Sequence, residues 1–449
     1  MNTAVEAAVR RVLGAAGLSA PGRTVVAALS GGADSVALAT ALARLAGQEG
    51  FSVVAAHLDH RLRPESAADA SFCAALCARL GLRLHSATAD VRGRARREKG
   101  GLEQAARRER HAFLRTVQEE AGADAILLAH TRDDQAETVL MRLLRGSGRT
   151  GLSAMRPRSG RLVRPLLGVS RRQVLAHLRA RGQEWREDAS NRDTRLLRNR
   201  VRHELIPYLE ERYNRSLRPA LARAAAVAAA EQDLLDGLAA ELLQRVGRPD
   251  GEAFLLDRAG LAAAPEALAR LALRQALARA GGLLGVRAVQ IERLLALARR
   301  PAASGRRLAL PGDREAQVHF GALRMGPARK PWPAFEAPLA VPGRVELPDG
   351  SCLTARASAG DGAAVIPLPV EPLVVRTRRP GDRVQTARGT RSLKRLLLEQ
   401  RIPAGERARL PLVAAGARVV WFPGLAAAAG APGRYVALAV EPAPSRRAQ

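Results

Sequence analysis

Two short segments concentrate the residue types that do chemistry. The first is Ser30-Gly31-Gly32-Ala33-Asp34-Ser35, which follows the apolar run Val25-Val26-Ala27-Ala28-Leu29 and precedes an amphipathic stretch. Two glycines let the backbone turn tightly and bring its N–H groups close to an anion. A following helix N-terminus adds partial positive charge, and the two serines add hydroxyl donors. Such a loop suits a phosphate group. It has no GxxxxGK[ST] pattern, no lysine precedes Lys99, and the loop itself is not GxGxxG, so neither a Walker-type loop nor a dinucleotide fingerprint applies here. The second segment runs Ala129-His130-Thr131-Arg132-Asp133-Asp134-Gln135-Ala136-Glu137-Thr138, again at the exit of an apolar run. Thr131 and Asp134 have capping-box spacing, and acidic side chains in a first helical turn are favoured by the helix dipole alone. Yet Asp133 and Glu137 are four apart and Asp134 and Glu137 three apart, so the carboxylates converge on one edge of a helix. A magnesium ion or a cationic amino group suits such an edge.

The elements that position these segments follow from hydrophobic period. Apolar runs at 24–29, 52–57, 82–87 and 125–129 read as strands, and helical patterns fall near 35–46, 66–80, 102–121 and 134–145. In the last of these, Val139, Leu140, Leu143 and Leu144 form an apolar stripe. Alternation of this kind builds a doubly wound, mostly parallel α/β sheet, whose ligands bind where strands end and helices begin. Residues 1–212 form this domain. Residues 213–328 read as a mainly helical domain without strands before 300, and 329–340 as a proline-bearing linker. Residues 341–441 read as a small mixed α+β domain, with 442–449 as a loose tail.

Composition bounds the function. A length of 449 residues implies two or three domains, and 47% apolar residues are enough to bury several cores. No stretch approaches the roughly 20 apolar residues of a membrane helix, and Glu6, Arg10 and Arg11 interrupt the region where a signal peptide is apolar, so a cytoplasmic protein without a membrane partner is expected. Three cysteines make neither a disulfide framework nor a metal quartet; Cys73 and Cys77, four apart, read as small buried apolar residues. The formal charge of +29 points to a polyanion, with nucleic acid leading. Lysine occurs only at 99, 330 and 394, which resembles GC-rich coding bias; that explains arginine replacing lysine but not an excess of basic over acidic residues.

SGGADS resembles the pyrophosphate loop, or PP-loop, of the N-type ATP pyrophosphatases, which cleave ATP between its α and β phosphates and adenylate a substrate. The resemblance implies ATP at Ser30, Gly31, Gly32, Ala33, Asp34 and Ser35, with Asp34 as a magnesium ligand. A closer resemblance, to the tRNA(Ile)-lysidine synthetase family, rests on many more residues. They are His57-Leu58-Asp59-His60-Arg61-Leu62-Arg63 with Ser66 and Asp69, then Glu103, Ala106-Arg107 and Arg110. The run from Ala129 to Met155, containing DDQAETVLMRLLRGSGRTGLSAM, belongs to it, as do Arg164-Pro165-Leu166-Leu167, Trp185 through Asp188, Ser190-Asn191, Arg198-Asn199-Arg200 and Arg202. Near the C-terminus it continues in Arg379-Pro380-Gly381-Asp382-Arg383, Lys394, Arg407 and Pro411. His111 and Thr131 depart from it, standing where an aromatic residue and a histidine are expected.

This resemblance implies a ligase that uses ATP, Mg2+ and free L-lysine to modify the wobble cytidine of an isoleucine tRNA with a CAU anticodon. The cytosine ring oxygen is adenylated, and the ε-amine of lysine displaces AMP at the adjacent carbon. The lysidine so formed reads AUA instead of AUG. Asp34, Asp134, Glu137, Arg107 and Arg110 are the implied catalytic residues, with Asp34 and Asp134 as metal ligands and His57, Asp59 and His130 adding nucleotide contacts. Either Glu137 or Asp134 binds the lysine ammonium, and at least one of Arg107 and Arg110 meets phosphate. Between Glu137 and Glu184 there are eleven arginines and no acidic residue, and residues 376–409 hold eleven basic residues against Asp382, Glu399 and Glu406. Expected RNA contacts are Arg145, Arg149, Arg195, Arg198, Arg200, Arg202, Arg383 and Lys394. A flexible loop at 146–151 is expected to admit the flipped base. The rivals are a PP-loop tRNA thiolase, which these cysteines do not suit, and an inactive tRNA-binding protein. No protein partner is implied, and a homodimer is left open.

Overall fold

The computed structural model describes residues 3–61, 66–97, 101–187, 193–301, 303–358, 364–386, 389–425 and 434–442. Leu62, Arg63, Lys99, Asp188, Ser190 and Asn191 of the motifs above, and the tail past 442, lie outside the described residues. The chain divides into two compact units, Met1–Leu234 and Leu235–Gln449. Among the described residues no helix is long and apolar enough to cross a membrane.

The first unit opens with α1 (Ala4–Ala15), β1 (Thr24–Ala28), α2 (Ala33–Glu49), β2 (Ser52–Asp59), α3 (Ser66–Leu80) and β3 (Arg83–Thr88). It continues through α4 (Val91–Arg97), α5 (Leu102–Glu120), β4 (Ala125–Leu127), α6 (Arg132–Leu144), α7 (Arg149–Leu152), β5 (Arg158–Ser159), β6 (Leu162–Val163) and α8 (Arg171–Ala180). The sheet order is β3-β2-β1-β4-β6-β5, parallel throughout except for β5. The period of two sorts its side chains. Val25, Ala27, Ala55 and Leu127 meet α1, α2, α3 and α8 on one face, while Val26, Val54 and Ile126 meet Leu114 and Val117 of α5 on the other. The chain builds outward from β1 to β3 and then crosses back to β4 beside β1. The carboxyl ends of β1 and β4 therefore form the crevice where the winding reverses, and both chemistry-bearing segments leave from it.

The unit ends with α9 (Leu197–Arg200), a π-helical turn (Val201–Leu205), α10 (Ile206–Arg212) and the start of α11 (Leu217–Val246). Leu221 and Ala225 pack with Val139, and Leu221 also meets the cluster of Ala136 and Ile206, so the first domain extends past the expected boundary at 212. The predicted stripe on α6 is only half buried. Val139 is inside and Leu140 partly buried, whereas Leu143 and Leu144 are 47% and 61% exposed.

In the second unit the remainder of α11 leads into β7 (Gly247–Asp250) and β8 (Ala253–Asp257). Then come α12 (Arg258–Ala263), α13 (Glu266–Arg279), α14 (Ala288–Arg299), β9 (Arg307–Leu310), β10 (Arg314–His319) and β11 (Ala322–Pro327). The strands form one antiparallel sheet, β7-β8-β11-β10-β9, and Leu256, Val318, Leu323 and Met325 pack against Leu273, Leu277 and Leu294 of the helices. The expectation of no strand before residue 300 is therefore corrected by the β7–β8 hairpin. Its short arms around Pro249-Asp250-Gly251 are submerged in an Ala- and Leu-rich context with little alternation.

The C-terminal part contains β12 (Glu336–Leu339), β13 (Gly343–Glu346), β14 (Cys352–Ser358), β15 (Val365–Pro367), β16 (Leu373–Arg376), β17 (Arg383–Thr386) and β18 (Gly389–Ser392). It ends with α15 (Leu393–Glu399), α16 (Ala404–Arg407), β19 (Leu412–Ala415), β20 (Arg418–Trp421) and β21 (Tyr435–Glu441). Two sheets, β12-β16-β19-β20-β17-β18 and β13-β14-β21-β15, share a core around Leu353, Val375, Val413 and Leu438. The linker expected at 329–340 ends in β12, an edge strand paired with β16, and the edge is where a sheet tolerates Pro338.

Candidate active site

The loop after β1 is clamped from behind and open in front. Gly31 has φ +81°, in the left-handed region that glycine enters freely. Its carbonyl accepts the Arg186 N–H at 2.9 Å, and Gly32 bridges to Arg186 as an isolated parallel pair. Ser35 Oγ donates to the Gly32 carbonyl at 2.8 Å and accepts the Ser30 N–H at 3.1 Å. Ser35, 6% exposed, thus holds the loop's shape, while Ser30 is exposed. Gly32 caps α2 with no side chain over the helix end, and the first-turn amides have no intrahelical acceptor to use. Ala33 is buried beneath this turn. The arrangement is a ready anion cradle.

Asp34, in that first turn, meets Arg171 at 2.7 Å. Burial raises its pKa above the usual carboxylate value, and repulsion from Asp134 adds to this, while Arg171 and Arg202 pull the other way. The two carboxylates expected to share a metal therefore feel each other across the β1/β4 crevice. Arg171 itself comes from the start of α8, a residue that no motif singled out.

The second segment does two jobs. Thr131 caps α6, and the capping box is complete: Asp134 Oδ2 accepts the Thr131 N–H at 2.8 Å and its hydroxyl at 2.9 Å. The other oxygen, Oδ1, meets Arg198 at 2.8 Å and Arg202 at 3.2 Å. Glu137, one turn on and 2% exposed in its side chain, meets Arg198 at 2.9 Å and Arg202 at 2.5 Å. Burial works to raise the Asp134 pKa, but Arg198, the Thr131 N–H, His130 and Arg202 overcome it and hold the carboxyl below its usual range. The same two carboxylates hold both guanidiniums above theirs, against burial.

Asp133 does not join this pair. It accepts the Arg171 N–H at 2.8 Å and meets Arg218 at 3.2 Å, so the expected three-carboxylate edge is reduced to Asp134 and Glu137. Arg198 and Arg202, expected on RNA, are turned to these carboxylates instead.

Around the crevice several buried polar atoms lack a protein partner. His57 Nδ1–H donates to the Leu29 carbonyl at 2.9 Å, which leaves Nε2 as a buried acceptor without a partner. His60 Nδ1, His130 Nδ1 and Arg110 Nε are in the same condition. Burial pushes His130 down to about 4, with Arg164, Arg110 and Arg198 adding to the effect and Asp134 opposing it, so its imidazole is neutral at physiological pH. Arg110 is itself lowered, by burial first and then by Arg107 and Arg198. Buried unsatisfied groups demand an explanation, and a polar ligand with phosphate and base acceptors and donors supplies one. Asp59 is committed locally, with Oδ1 accepting the Arg61 N–H at 2.8 Å.

The remaining expected RNA contacts are scattered. Arg145 and Arg200 are exposed, Arg149 pairs with Glu231 at 2.7 Å, and Arg195 pairs with Asp193 at 2.9 Å. In the second unit Arg383 and Lys394 are exposed. Other arginines of the basic run serve inside the fold: Arg142 donates to the Gly151 and Ala154 carbonyls at 2.6 and 3.0 Å, Arg156 pairs with Asp233, and Arg181 with Glu6. Residues 146–151, expected as a flexible loop, lead into the one-turn helix α7 under that Arg142 clamp. Cys73 and Cys77 are buried, and burial pushes their thiols up to about 12 and about 11, which suits packing and not sulfur chemistry.

A parallel switch-point crevice with this loop defines an ATP-using PP-loop domain, and comparison agrees: the PP-loop domain family matches residues 1–209. The family described as TilS substrate C-terminal domain matches residues 373–436. A tRNA(Ile)-lysidine synthase of Symbiobacterium thermophilum is 40% identical over 440 residues, covering 91% of each chain. Proteins of the same name from Deinococcus radiodurans and Thermus thermophilus are each 39% identical, over 87% and 90% of this chain and 58% and 70% of their own longer chains. The chain belongs to the tRNA(Ile)-lysidine synthase family.

Proposed function

We propose that this protein joins lysine to the wobble cytidine of an isoleucine tRNA with a CAU anticodon, at the expense of ATP. The observation that carries the reading is the meeting, at one sheet crevice, of an open anion cradle and a buried carboxylate pair. In the first step the cytosine O2 attacks the α phosphate and pyrophosphate leaves. In the second the lysine ε-amine attacks C2, AMP departs with that oxygen, and the amine sheds a proton.

The first step needs the triphosphate held in line and its charge met by donors. Ser30 and the amides of Gly31 through Ser35 serve the phosphates, and Arg110 or Arg107 supplies a cation at the α phosphate. His130 offers a neutral imidazole partner, and His57 offers a buried ring nitrogen that has no partner in the protein. Asp34 would be the primary ligand of a magnesium ion, with Asp134 the second. Their mutual repulsion favours a cation, and among the described residues no larger His, Cys, Asp and Glu group forms an all-protein cage, which fits an ion shared with phosphates. When bound, magnesium offsets phosphate charge and polarises the α phosphate.

For the second step a carboxylate must receive an ammonium ion. Glu137 is our choice, because Asp134 already spends one oxygen on the α6 cap. Arg198 and Arg202 hold Glu137 in place, and lysine binds by displacing or sharing one of them. Arg145, Arg149, Arg195, Arg200, Arg383 and Lys394 contact the RNA backbone. Pyrophosphate release should require both magnesium and a transcript with cytidine at the wobble position. Equal release with uridine there would contradict the reading.

A further inference from the structure

The half-buried arginines beside the carboxylate pair have their charge met: Arg198 and Arg202 both bridge Asp134 and Glu137. Arg164 does not. It is only 7% exposed, and among the described residues no carboxylate pairs with it. Its Nη1 donates to the Arg156 carbonyl at 2.9 Å, and its Nε is buried without a partner. A carbonyl satisfies one hydrogen bond but leaves the positive charge standing, and a buried charge without a counter-ion is costly.

The groups around it share its sign. Arg164 has its pKa lowered by burial first and then by Arg107, and its own field helps to lower His111 and His130. Arg110 has the same character. Its Nε is also buried without a partner, and burial, Arg107 and Arg198 all lower its pKa.

The sheet explains why these groups meet. β6 pairs in parallel with β4 through Ile126–Leu162 and Leu127–Val163, so His130 and Arg164 leave neighbouring strands at the same carboxyl edge. Val163 packs with the α2 and α8 side of the sheet, and Leu162 with Leu114 and Val117 of α5. Alternation therefore carries Arg164 to the side covered by α5, the helix that bears Arg107 and Arg110. The Arg164 N–H donates to the Pro157 carbonyl at 2.8 Å, which fixes the backbone from which the side chain starts.

We propose that Arg164, together with Arg110, binds a substrate phosphate at the β4/β6 edge of the crevice. The inference rests on the function proposed above and adds a residue to its site. A guanidinium fork matches phosphate oxygens in pairs, and the phosphate supplies the negative charge that no carboxylate provides. Two substrates carry such a group: the nucleotide, whose α phosphate stays with AMP, and the RNA, whose phosphodiester flanks the wobble cytidine. Because the unmet charge burdens the fold by itself, a variant without it folds at least as well.

The test compares Arg164→Gln and Arg164→Lys in the full chain. Affinity for AMP is measured without magnesium, affinity for a CAU-anticodon isoleucine tRNA transcript from about 50 to 200 mM salt, and Tm by calorimetry. Arg164→Gln should keep the wild-type Tm or exceed it, yet weaken AMP, the transcript or both by about tenfold, the loss of one charge-assisted hydrogen bond. Arg164→Lys should restore most of that affinity. Weakened AMP binding assigns the phosphate to the nucleotide. A weakened transcript, with a salt slope shallower by about 0.7–0.9, assigns it to the RNA.

Unchanged affinity for both ligands overturns the proposal. So does a Tm well below wild type in both variants, which would make Arg164 a structural brace for the Arg156 carbonyl. Neither binding measurement involves lysine. Wild-type protein that binds both ligands but attaches no lysine contradicts the proposed function instead, so the two failures are distinguishable.

Discussion

Asp34→Asn should leave the protein at least as stable and nearly silent in catalysis. Burial and the neighbouring Asp134 raise the Asp34 pKa above 3.8 despite Arg171 and Arg202. The folded chain therefore holds that proton more tightly than the unfolded chain. Stability falls as pH rises through the folded value, and at neutral pH the charged carboxylate is a net cost. Asparagine removes the charge and keeps the shape. What is lost is the contact with Arg171, whose side chains are 32% and 41% exposed on the two partners, a pair worth about 0–1 kcal/mol. For a unit of this size each kcal/mol moves Tm by about 2–4 °C, so the two effects leave Tm within about 4 °C of wild type, with the bias upward. Adenylation should fall at least about a hundredfold, the loss typical of removing one group that stabilises transition-state charge. Differential scanning calorimetry and tRNA-dependent pyrophosphate release read the two quantities. Wild-type turnover in the variant would remove Asp34 from the metal site, and a Tm well below wild type would show that its carboxylate is structural.

Glu6→Ala tests a site with the opposite balance. Glu6 is fully buried, accepts the Thr3 N–H at 3.0 Å and meets Arg181 and Arg44, so its loss should cost about 2–4 kcal/mol after allowing for the exposed arginine ends, and unfolding in urea measures it. The acid limb of stability should begin at mildly acidic pH. His177 is lowered from 6.5 by burial and Arg181, and His130 to about 4, so the folded state prefers both neutral; stability is complete above pH 6.5 and falls as pH drops toward 4. Thermal midpoints across that range should flatten in His177→Asn, and an unchanged slope would exclude it as the source. Arg200→Ala and Arg145→Ala should each lower the salt slope of tRNA binding by about 0.7–0.9. Arg198→Ala, whose guanidinium is offset by Asp134 and Glu137, should lower it less and reduce lysine attachment more. Equal slopes for all three would place Arg198 on the RNA.

The sheet was legible because its central strands β1, β2 and β4 are apolar on both faces and its helices keep their period, so 66–80 matches α3 and the other three predicted helices lie close to α2, α5 and α6. Both chemistry-bearing segments could be located because each directly follows a strand, and strand order alone then sets them side by side. What stayed hidden depends on partners distant in sequence. Arg171 on Asp34, and Arg198 and Arg202 on Asp134 and Glu137, come from helices whose approach no local pattern encodes. Charge runs misled for the same reason. Arg142, Arg156 and Arg181 look like a solvated track in sequence, yet each finds a carbonyl or carboxylate inside the first unit. Asp133 and Asp134 are adjacent and identical, and only the fold separates their duties. The β7–β8 hairpin and the β12 edge strand escaped notice because short, half-exposed strands carry too few alternating positions to outweigh Ala-rich or Pro-rich surroundings.

The most direct test of the central claim is attachment of radiolabelled lysine to a CAU-anticodon isoleucine tRNA transcript, measured with ATP and magnesium present or withheld. The account predicts label retained in the RNA that needs ATP, magnesium and the wobble cytidine, and that disappears in Asp34→Asn. Pyrophosphate released without any label in the RNA would leave the adenylating crevice standing and contradict lysine as the nucleophile.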